Sequence, residues 1–198
     1  MKLFWSPQTR SSRAVWLLEE AGVDYEIEEV DIRSPDRRDS TEFQAASPMG
    51  KVPALVDGDV RMSESAAIAL YVADRYCPGR LAPAIDDTNR GKFLYWLMFT
   101  PAVIEPAMSE KFNKVEPNRS RSGWGDFDSM IETLEKALED RQWLLGERFT
   151  AADVLVGSSV VFMRMFEMLD DAPILADYAD RCLARPAYSK AMSLEPKQ

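Results

Sequence analysis

The feature of the sequence that most constrains the fold is a change of hydrophobic pattern near Pro78. Before it, strand-like and helical segments alternate, and after it only helical periodicity is found. The first part begins with a short apolar run, Lys2–Trp5, followed by a helical pattern that Gly22 ends. We therefore predict an α/β fold over roughly the first 80 residues and an all-α fold over the rest.

The other segments of the first part predict the order β-α-β and then β-β-α. An imperfect apolar alternation over residues 23–32 predicts a second strand parallel to the first, and residues 41–46 form a weak helical stretch. Asp57-Gly58 lies between two apolar runs, which is a hairpin signal. A helix over residues 66–76 then completes the α/β part.

The boundary between the two predicted domains lies in a segment rich in turn residues. Residues 1–78 form the first predicted domain, residues 79–87 a linker, and residues 88–198 the all-helical domain. Helical periodicity in the second domain covers residues 88–112, 127–141, 150–169, 174–183 and 186–191. Pro101 and Pro106 are expected to interrupt or kink the first of these helices.

Composition excludes several classes of function. The net charge of −9 disfavours nucleic-acid binding, and the absence of histidine disfavours zinc sites and His-activated nucleophiles. Cys77 and Cys182 lie far apart in the sequence, which predicts buried thiols rather than a disulfide or a redox pair. No apolar run approaches the roughly 20 residues of a membrane-spanning helix, and the N-terminus lacks a signal-peptide pattern. We expect a cytoplasmic protein that has no metal and no nucleic-acid or membrane partner.

Three separated motifs resemble those of the cytosolic glutathione transferases. They are Gly50-Lys51-Val52-Pro53-Ala54-Leu55, Ser63-Glu64-Ser65-Ala66-Ala67-Ile68 and Gly146-Glu147-Arg148-Phe149-Thr150-Ala151-Ala152-Asp153-Val154. With the β-loop-α start and the strandless second half, the similarity covers essentially the whole chain. The resemblance implies an N-terminal thioredoxin-like domain, a C-terminal all-helical domain, glutathione as co-substrate and a role in detoxification. It also implies a homodimer.

The first two motifs contain the residues that the resemblance assigns to glutathione binding. Val52 is expected to offer its backbone N–H and C=O to the tripeptide, with a cis bond to Pro53 fixing the bend. Ser65 is expected to cap the next helix and to contact the γ-glutamyl carboxylate. Glu64 faces the ammonium group, and Lys51 is a candidate for the glycyl carboxylate. Taken singly, these positions also suit an edge-strand proline, an ordinary helix cap and a solvated lysine.

The third motif predicts the start of a helix and no chemistry. Thr150 is a good N-cap residue, and Asp153 can accept a hydrogen bond from the Thr150 N–H to complete a capping box. Phe149 and Val154 occupy the two positions of a hydrophobic staple.

The reaction that the resemblance implies is attack of the glutathione thiolate on an electrophile. A free thiol has a pKa of about 8.5, and lowering it by one to two units takes roughly 1.4–2.7 kcal/mol. A helix dipole supplies only about 0.3–1 kcal/mol, so a hydroxyl donor is needed as well. The candidates are Ser11 and Thr9, between which the sequence does not decide, and then Ser12, which also suits a helix cap. The tyrosine and cysteine that other family members use are absent from this loop.

The electrophile is expected to enter an apolar pocket between the two domains. The candidate lining residues are Trp5, Tyr95, Phe99, Met108, Phe112, Phe162 and Phe166. Each of these side chains also suits a hydrophobic core, and the sequence does not name the electrophile.

Two alternatives to a conjugating enzyme stay open at this point. One is a non-catalytic module that binds ligands or protein partners, similar to the stringent starvation proteins. The other is a glutathione-dependent isomerase or peroxidase, although the Ser-Ser-Cys loop of the maleylacetoacetate isomerase branch is missing. The intact Val52-Pro53 and Glu64-Ser65 positions favour retained glutathione binding.

Overall fold

Four short strands form one mixed sheet in the computed structural model of the chain, which describes residues 1–34, 40–169 and 171–194. The strands are β1 (Lys2–Trp5), β2 (Glu26–Glu29), β3 (Ala54–Asp57) and β4 (Val60–Ser63), in the spatial order β2-β1-β3-β4. β1 is parallel to β2 and antiparallel to β3, and β3 and β4 form a hairpin. The predicted βαβ-ββα order is confirmed.

The second strand is shorter than the ten-residue segment predicted from the alternation. Pairing runs only from Lys2 opposite Glu26 to Trp5 opposite Glu29, because β1 itself has four residues. The Glu26 N–H donates to Met1 O and the Val30 N–H donates to Trp5 O, so the ladder is closed at both ends. A strand cannot extend beyond the backbone groups of its partner.

Helices cover both faces of this sheet in the first unit, which comprises residues Met1–Pro78 and the C-terminal helix. They are α1 (Ser11–Ala21), α2 (Thr41–Ala46), α3 (Ser65–Tyr76) and α9 (Pro186–Met192). Phe4 points to the α2 side, where its ring lies 5.2 Å from that of Phe43. The helix α1 ends at Gly22, whose φ of 67° is left-handed and whose N–H donates to Leu18 O.

The C-terminal helix α9 packs against α1. The rings of Trp16 and Tyr188 meet edge to face with centroids 5.0 Å apart, and Lys190 forms a 2.6 Å ion pair with Glu19. The structure therefore groups α9 with the first unit, whereas the prediction placed residues 88–198 in one helical domain.

The second unit, Gly79–Arg185, is helical throughout its regular structure. Its elements are α4 (Arg90–Phe99), a π-helical turn (Thr100–Ile104), α5 (Glu105–Phe112), α6 (Phe127–Leu138), α7 (Ala151–Met165) and α8 (Pro173–Leu183). The interruption predicted at Pro101 is the π-helical turn, in which the Glu105 N–H donates to Thr100 O five residues earlier. The helices α6 and α7 end three or four residues before the predicted limits, because Asp140 and Glu167 adopt left-handed φ values of 55° and 54°.

The segment predicted as a linker, residues 79–87, packs into the second unit. Leu81 and Ala82 are buried, and Leu81 O accepts a 2.8 Å hydrogen bond from the Ala151 N–H. Arg148 reaches the same segment with a 3.0 Å hydrogen bond to Ala82 O. Two residues of the third sequence motif thus fix the start of the helical unit.

Asp153 forms the predicted capping box at the start of α7. One carboxylate oxygen accepts the Thr150 N–H at 2.8 Å and the Thr150 hydroxyl at 3.0 Å. The other accepts the Leu144 N–H at 2.9 Å and the Tyr178 hydroxyl at 3.1 Å. Complete burial raises the pKa of Asp153 to about 6, against the opposing effect of these hydrogen bonds.

The two cysteines are free and buried, as predicted. The Cys77 thiol lies 3.6 Å from Ala21 O, and burial raises the pKa of Cys182. Among the described residues, no helix has the length and apolar character needed to span a membrane. No group of three or more His, Cys, Asp or Glu side chains in the described ranges could hold a metal ion.

Candidate functional site

Three parts of the candidate site leave the sheet at the same end. The β1–β3 pairing ends at Phe4 opposite Ala54, and the β3–β4 pairing ends at Ala54 opposite Ser63. The loop after β1, the segment before β3 and the residue after β4 therefore start from neighbouring positions. The topology brings the predicted thiol-activating loop, Val52 and Glu64 to one edge of the first unit.

The loop between β1 and α1 places two candidate hydroxyls side by side. The Thr9 Oγ1 and Ser11 Oγ atoms are 2.6 Å apart. The helix α1 begins at Ser11, and Arg10 occupies the N-cap position with helical φ and ψ of −59° and −13°. Ser12 is therefore the second helical residue, not the cap, and its N–H donates to Thr9 O at 3.2 Å in the first turn.

Ser6 connects the two hydroxyls to the end of β1. Its carbonyl oxygen lies within hydrogen-bond distance of both hydroxyl oxygens, 2.7 Å from that of Thr9 and 2.9 Å from that of Ser11, and its N–H donates to Ser11 Oγ at 3.0 Å. Gln8 has a left-handed φ of 56°, which reverses the chain within the loop. Ser11 is 0% exposed, whereas Thr9 is partly exposed. Of these two residues only Thr9 can meet a ligand without rearrangement of the loop, while Ser12, in the first turn of α1, is half-buried like Thr9.

Val52 presents a free section of backbone beside β3. It is half-buried, its peptide bond to Pro53 is cis as the resemblance implied, and β3 begins one residue further at Ala54. In the part of the chain that the structure describes, neither the N–H nor the C=O of Val52 forms a hydrogen bond. Both groups are available to the backbone of an extended peptide.

Lys51 directly precedes Val52 and follows a turn at Gly50. The Lys51 N–H donates to the hydroxyl of buried Ser47 at 2.9 Å, and Gly50 adopts a left-handed φ of 63°. The Lys51 side chain is exposed. It places a cationic group next to Val52 that has no ion-pair partner among the residues the structure describes.

Glu64 has a strained backbone at the start of α3. Its φ of 73° and ψ of 116° lie outside the regions that non-glycine residues favour. Glu64 occupies the N-cap position, since its carbonyl accepts the Ile68 N–H at 3.0 Å, and Ser65 is the first helical residue. The prediction that Ser65 caps this helix is therefore wrong. Within the described ranges no side chain caps α3, so its first N–H groups have no side-chain acceptor and are available to an anion.

The predicted pocket residues are divided between the two units. Trp5 lies in the first unit and is 4% exposed. In the second unit, the Tyr95 and Phe99 rings lie 5.5 Å apart, and the Phe162 and Phe166 rings lie 4.4 Å apart. Phe112 joins the latter pair through Phe166 at 6.4 Å, and these three phenylalanines are exposed. Met108 is half-buried, and the pocket itself stays a prediction.

The sequence analysis did not single out Ser6. Its N–H and C=O organise the hydroxyls of the loop. The signal that could have found it is Ser6-Pro7 directly after a strand, because such a pair marks a tight turn whose backbone groups need side-chain partners.

Both parts of this chain match models of a known protein family. Residues 5–75 match the family model for the glutathione S-transferase N-terminal domain, and residues 82–181 match that for the C-terminal domain. The chain belongs to the glutathione S-transferase family. This membership confirms the resemblance, the fold and the general function of a glutathione transferase, with glutathione as co-substrate.

Individual relatives support the same conclusion. Glutathione S-transferase F10 of Arabidopsis thaliana is 41% identical over 165 residues, which cover 73% of this chain and 72% of that protein. The structure of a sphingomonad glutathione S-transferase complexed with glutathione is 28% identical, with a TM-score of 0.80 and 97% of each chain covered. The disulfide-bond oxidoreductase YfcG of Escherichia coli K12 is 26% identical over 96% of this chain and 93% of that protein. The relatives of this chain therefore include a protein named for a different activity.

Proposed function

We propose that this glutathione S-transferase stabilises the thiolate of glutathione with the Thr9 hydroxyl and conjugates it to small, mostly apolar electrophiles. The observation that carries the proposal is the position of Thr9. Thr9 is a partly exposed residue on the loop that leaves the sheet beside Val52 and Glu64. Glutathione supplies the sulfur nucleophile when it is bound.

The residues at this edge fit the polar groups of the tripeptide. The unpaired N–H and C=O of Val52 match a peptide backbone, and the uncapped start of α3 suits a carboxylate. The exposed Glu64 side chain suits an ammonium group, and the Lys51 side chain suits a second carboxylate. Pro53 fixes the bend of the backbone after Val52, and Ser65, the first residue of α3, is placed to contact the γ-glutamyl carboxylate.

The magnitudes are sufficient for thiol activation. A hydrogen bond from a hydroxyl to a charged group contributes about 1.5–3 kcal/mol, and the start of α1 contributes about 0.3–1 kcal/mol. Lowering the thiol pKa by one to two units takes roughly 1.4–2.7 kcal/mol. The chain contains no histidine, so the thiol proton passes to solvent and Thr9 acts by stabilising the anion, not as a base.

The experiment compares Thr9→Val with wild type in a conjugation assay with 1-chloro-2,4-dinitrobenzene. Valine keeps the shape of threonine and removes the hydroxyl, so we expect kcat to fall roughly 10- to 100-fold. The Kd of glutathione, measured by calorimetry, should change by less than about 3-fold, because Val52 and the start of α3 still hold the tripeptide. Thr133→Val, at an exposed threonine on α6, is the matched control. A Thr9→Val variant that keeps the full rate would overturn the assignment.

Disulfide reduction is the alternative activity to test, since one relative is named a disulfide-bond oxidoreductase. Both cysteines of this chain are buried, and neither lies in the β1–α1 loop, so its own thiols are not placed for exchange. Turnover of hydroxyethyl disulfide that exceeds conjugation would favour this activity. Failure to bind a glutathione column would instead favour the non-catalytic module.

The family also leads us to propose a homodimer that acts in the cytoplasm. The assembly is tested by light scattering during size-exclusion chromatography, where a mass near twice 22.4 kDa is expected. A single-chain mass at micromolar concentration would contradict it.

A further inference from the structure

We propose that Ser11 is a positioning residue that donates its hydroxyl proton to Thr9 Oγ1, so that the Thr9 proton is free for the sulfur of the substrate. The inference rests on the proposed function, in which Thr9 is the donor to the thiolate. It assigns a role to a buried side chain that no ligand can reach, since Ser11 is 0% exposed.

The loop has fewer hydroxyl protons than contacts that need one. Thr9 and Ser11 carry one hydroxyl proton each, yet three contacts need one. These are Thr9 to Ser6 O at 2.7 Å, Ser11 to Ser6 O at 2.9 Å, and the 2.6 Å contact between the two hydroxyl oxygens. Two oxygens at 2.6 Å repel each other unless a proton lies between them. One of the two hydroxyls must therefore donate to the other.

The direction of that hydrogen bond determines whether a hydroxyl proton can face the ligand. If Thr9 donates to Ser11, its only proton points into the buried side of the loop and no donor faces the ligand. If Ser11 donates to Thr9, the Thr9 proton is held only by the Ser6 carbonyl and can turn outward to an anion. The loop is thus a switch with two proton arrangements, of which one can serve the thiolate.

Two backbone hydrogen bonds hold Ser11 in the orientation in which it can donate to Thr9. Its oxygen accepts the Ser6 N–H at 3.0 Å, and its own N–H donates to Thr9 Oγ1 at 3.2 Å. Thr9 Oγ1 can therefore accept from both the N–H and the hydroxyl of Ser11. A hydroxyl that accepts hydrogen bonds becomes a better donor, by about 10–30% per bond, so the chain from Ser11 through Thr9 strengthens the bond to an anion.

The test is a double-mutant cycle that reads the thiol pKa of bound glutathione from the ultraviolet absorbance of the thiolate in the binary complex, without turnover. Ser11→Ala should raise this pKa by roughly 0.5–1 unit. In a Thr9→Val background, Ser11→Ala should raise it no further, because the hydroxyl through which Ser11 acts is gone. Ser159→Ala removes an equally buried serine hydroxyl from α7 and should leave the thiol pKa unchanged.

The outcomes separate this inference from the proposed function. An unchanged thiol pKa in Ser11→Ala, or the same rise in both backgrounds, overturns the role of Ser11 and leaves that of Thr9 intact. An unchanged thiol pKa in Thr9→Val overturns the proposed donor and this inference with it. If Ser11→Ala does not fold, Ser11→Cys keeps the size and offers a weak donor, and the same shift is read from the pH profile of kcat/KM.

Discussion

Ser63 lies directly opposite Ala54 in the β3–β4 ladder, and this pairing brings Glu64 to the end of the sheet where the Thr9 loop and Val52 also emerge. The position of Glu64, whose backbone is strained, is thus fixed by strand register. Backbone strain of this kind persists where the surrounding structure enforces it and where function benefits.

Substitution of Glu64 should separate stability from binding. Glycine adopts a φ of 73° without steric cost, so Glu64→Gly should raise the free energy of unfolding by about 1 kcal/mol in urea denaturation. The same variant loses the carboxylate that we propose binds the ammonium group of glutathione, so calorimetry should show a Kd roughly 10-fold weaker. Glu64→Gln keeps the strain and should weaken binding alone. A Glu64→Gly variant that is less stable than wild type would show that this backbone is not strained.

The capping box at Asp153 should be essential for the stability of the helical unit. In Asp153→Asn, the amide NH₂ would face donors that now meet the carboxylate, leaving at least one of them unpaired in a buried site. We expect a loss of about 1–3 kcal/mol in the free energy of unfolding. Asp128→Asn, at an exposed position in the first turn of α6, is the control and should change stability by less than about 0.5 kcal/mol. An Asp153→Asn variant as stable as this control would contradict the structural role.

The same carboxyl gives stability a definite pH dependence. The pKa of Asp153 is raised to about 6 in the folded chain, against about 3.9 for an unfolded aspartate. The unfolded state therefore releases its proton first, and the contribution of Asp153, complete below about pH 4, is lost as the pH rises toward 6.

Denaturation of wild type and Asp153→Asn from pH 4 to 7 isolates this effect. The stability of wild type relative to the variant should decline as the pH rises from 4 to 6 and should be constant above about 7. A difference that grows with pH over this range would mean that the folded carboxyl has a lowered pKa.

Much of the fold could be predicted because local signals and packing agree. Asp57-Gly58 specifies the hairpin, Gly22 the end of α1, and Thr150 with Asp153 the start of α7. These positions are determined by turn geometry and by hydrogen bonds between near neighbours, which a sequence pattern records.

The details of the site could not be predicted, because they depend on contacts between distant or backbone groups. The burial of Ser11 depends on the Ser6 N–H and C=O, and hydroxyl-bearing loop residues look alike in sequence. The start of α3 at Ser65 depends on the unusual φ of Glu64, which no propensity favours. The return of α9 to the first unit depends on the contact between Trp16 and Tyr188, which lie far apart in the chain.

The contact between α9 and α1 should contribute to the stability of the first unit. Tyr188→Ala removes a half-buried ring that meets Trp16 edge to face, so we expect a loss of about 1–3 kcal/mol in the free energy of unfolding. Ser189→Ala changes an exposed neighbour on the same helix and should be nearly neutral. Equal stabilities of the two variants would show that α9 adds nothing to the unit it contacts.

The acidity of the glutathione thiol at the Thr9 loop is the property on which the proposed chemistry depends most. Titration of the thiolate absorbance in the binary complex of wild-type protein and glutathione measures it directly. We predict a pKa that lies one to two units below the free value of about 8.5 and that returns most of the way to this value in Thr9→Val. A wild-type pKa equal to that of free glutathione, or an equally lowered pKa in Thr9→Val, would contradict the account.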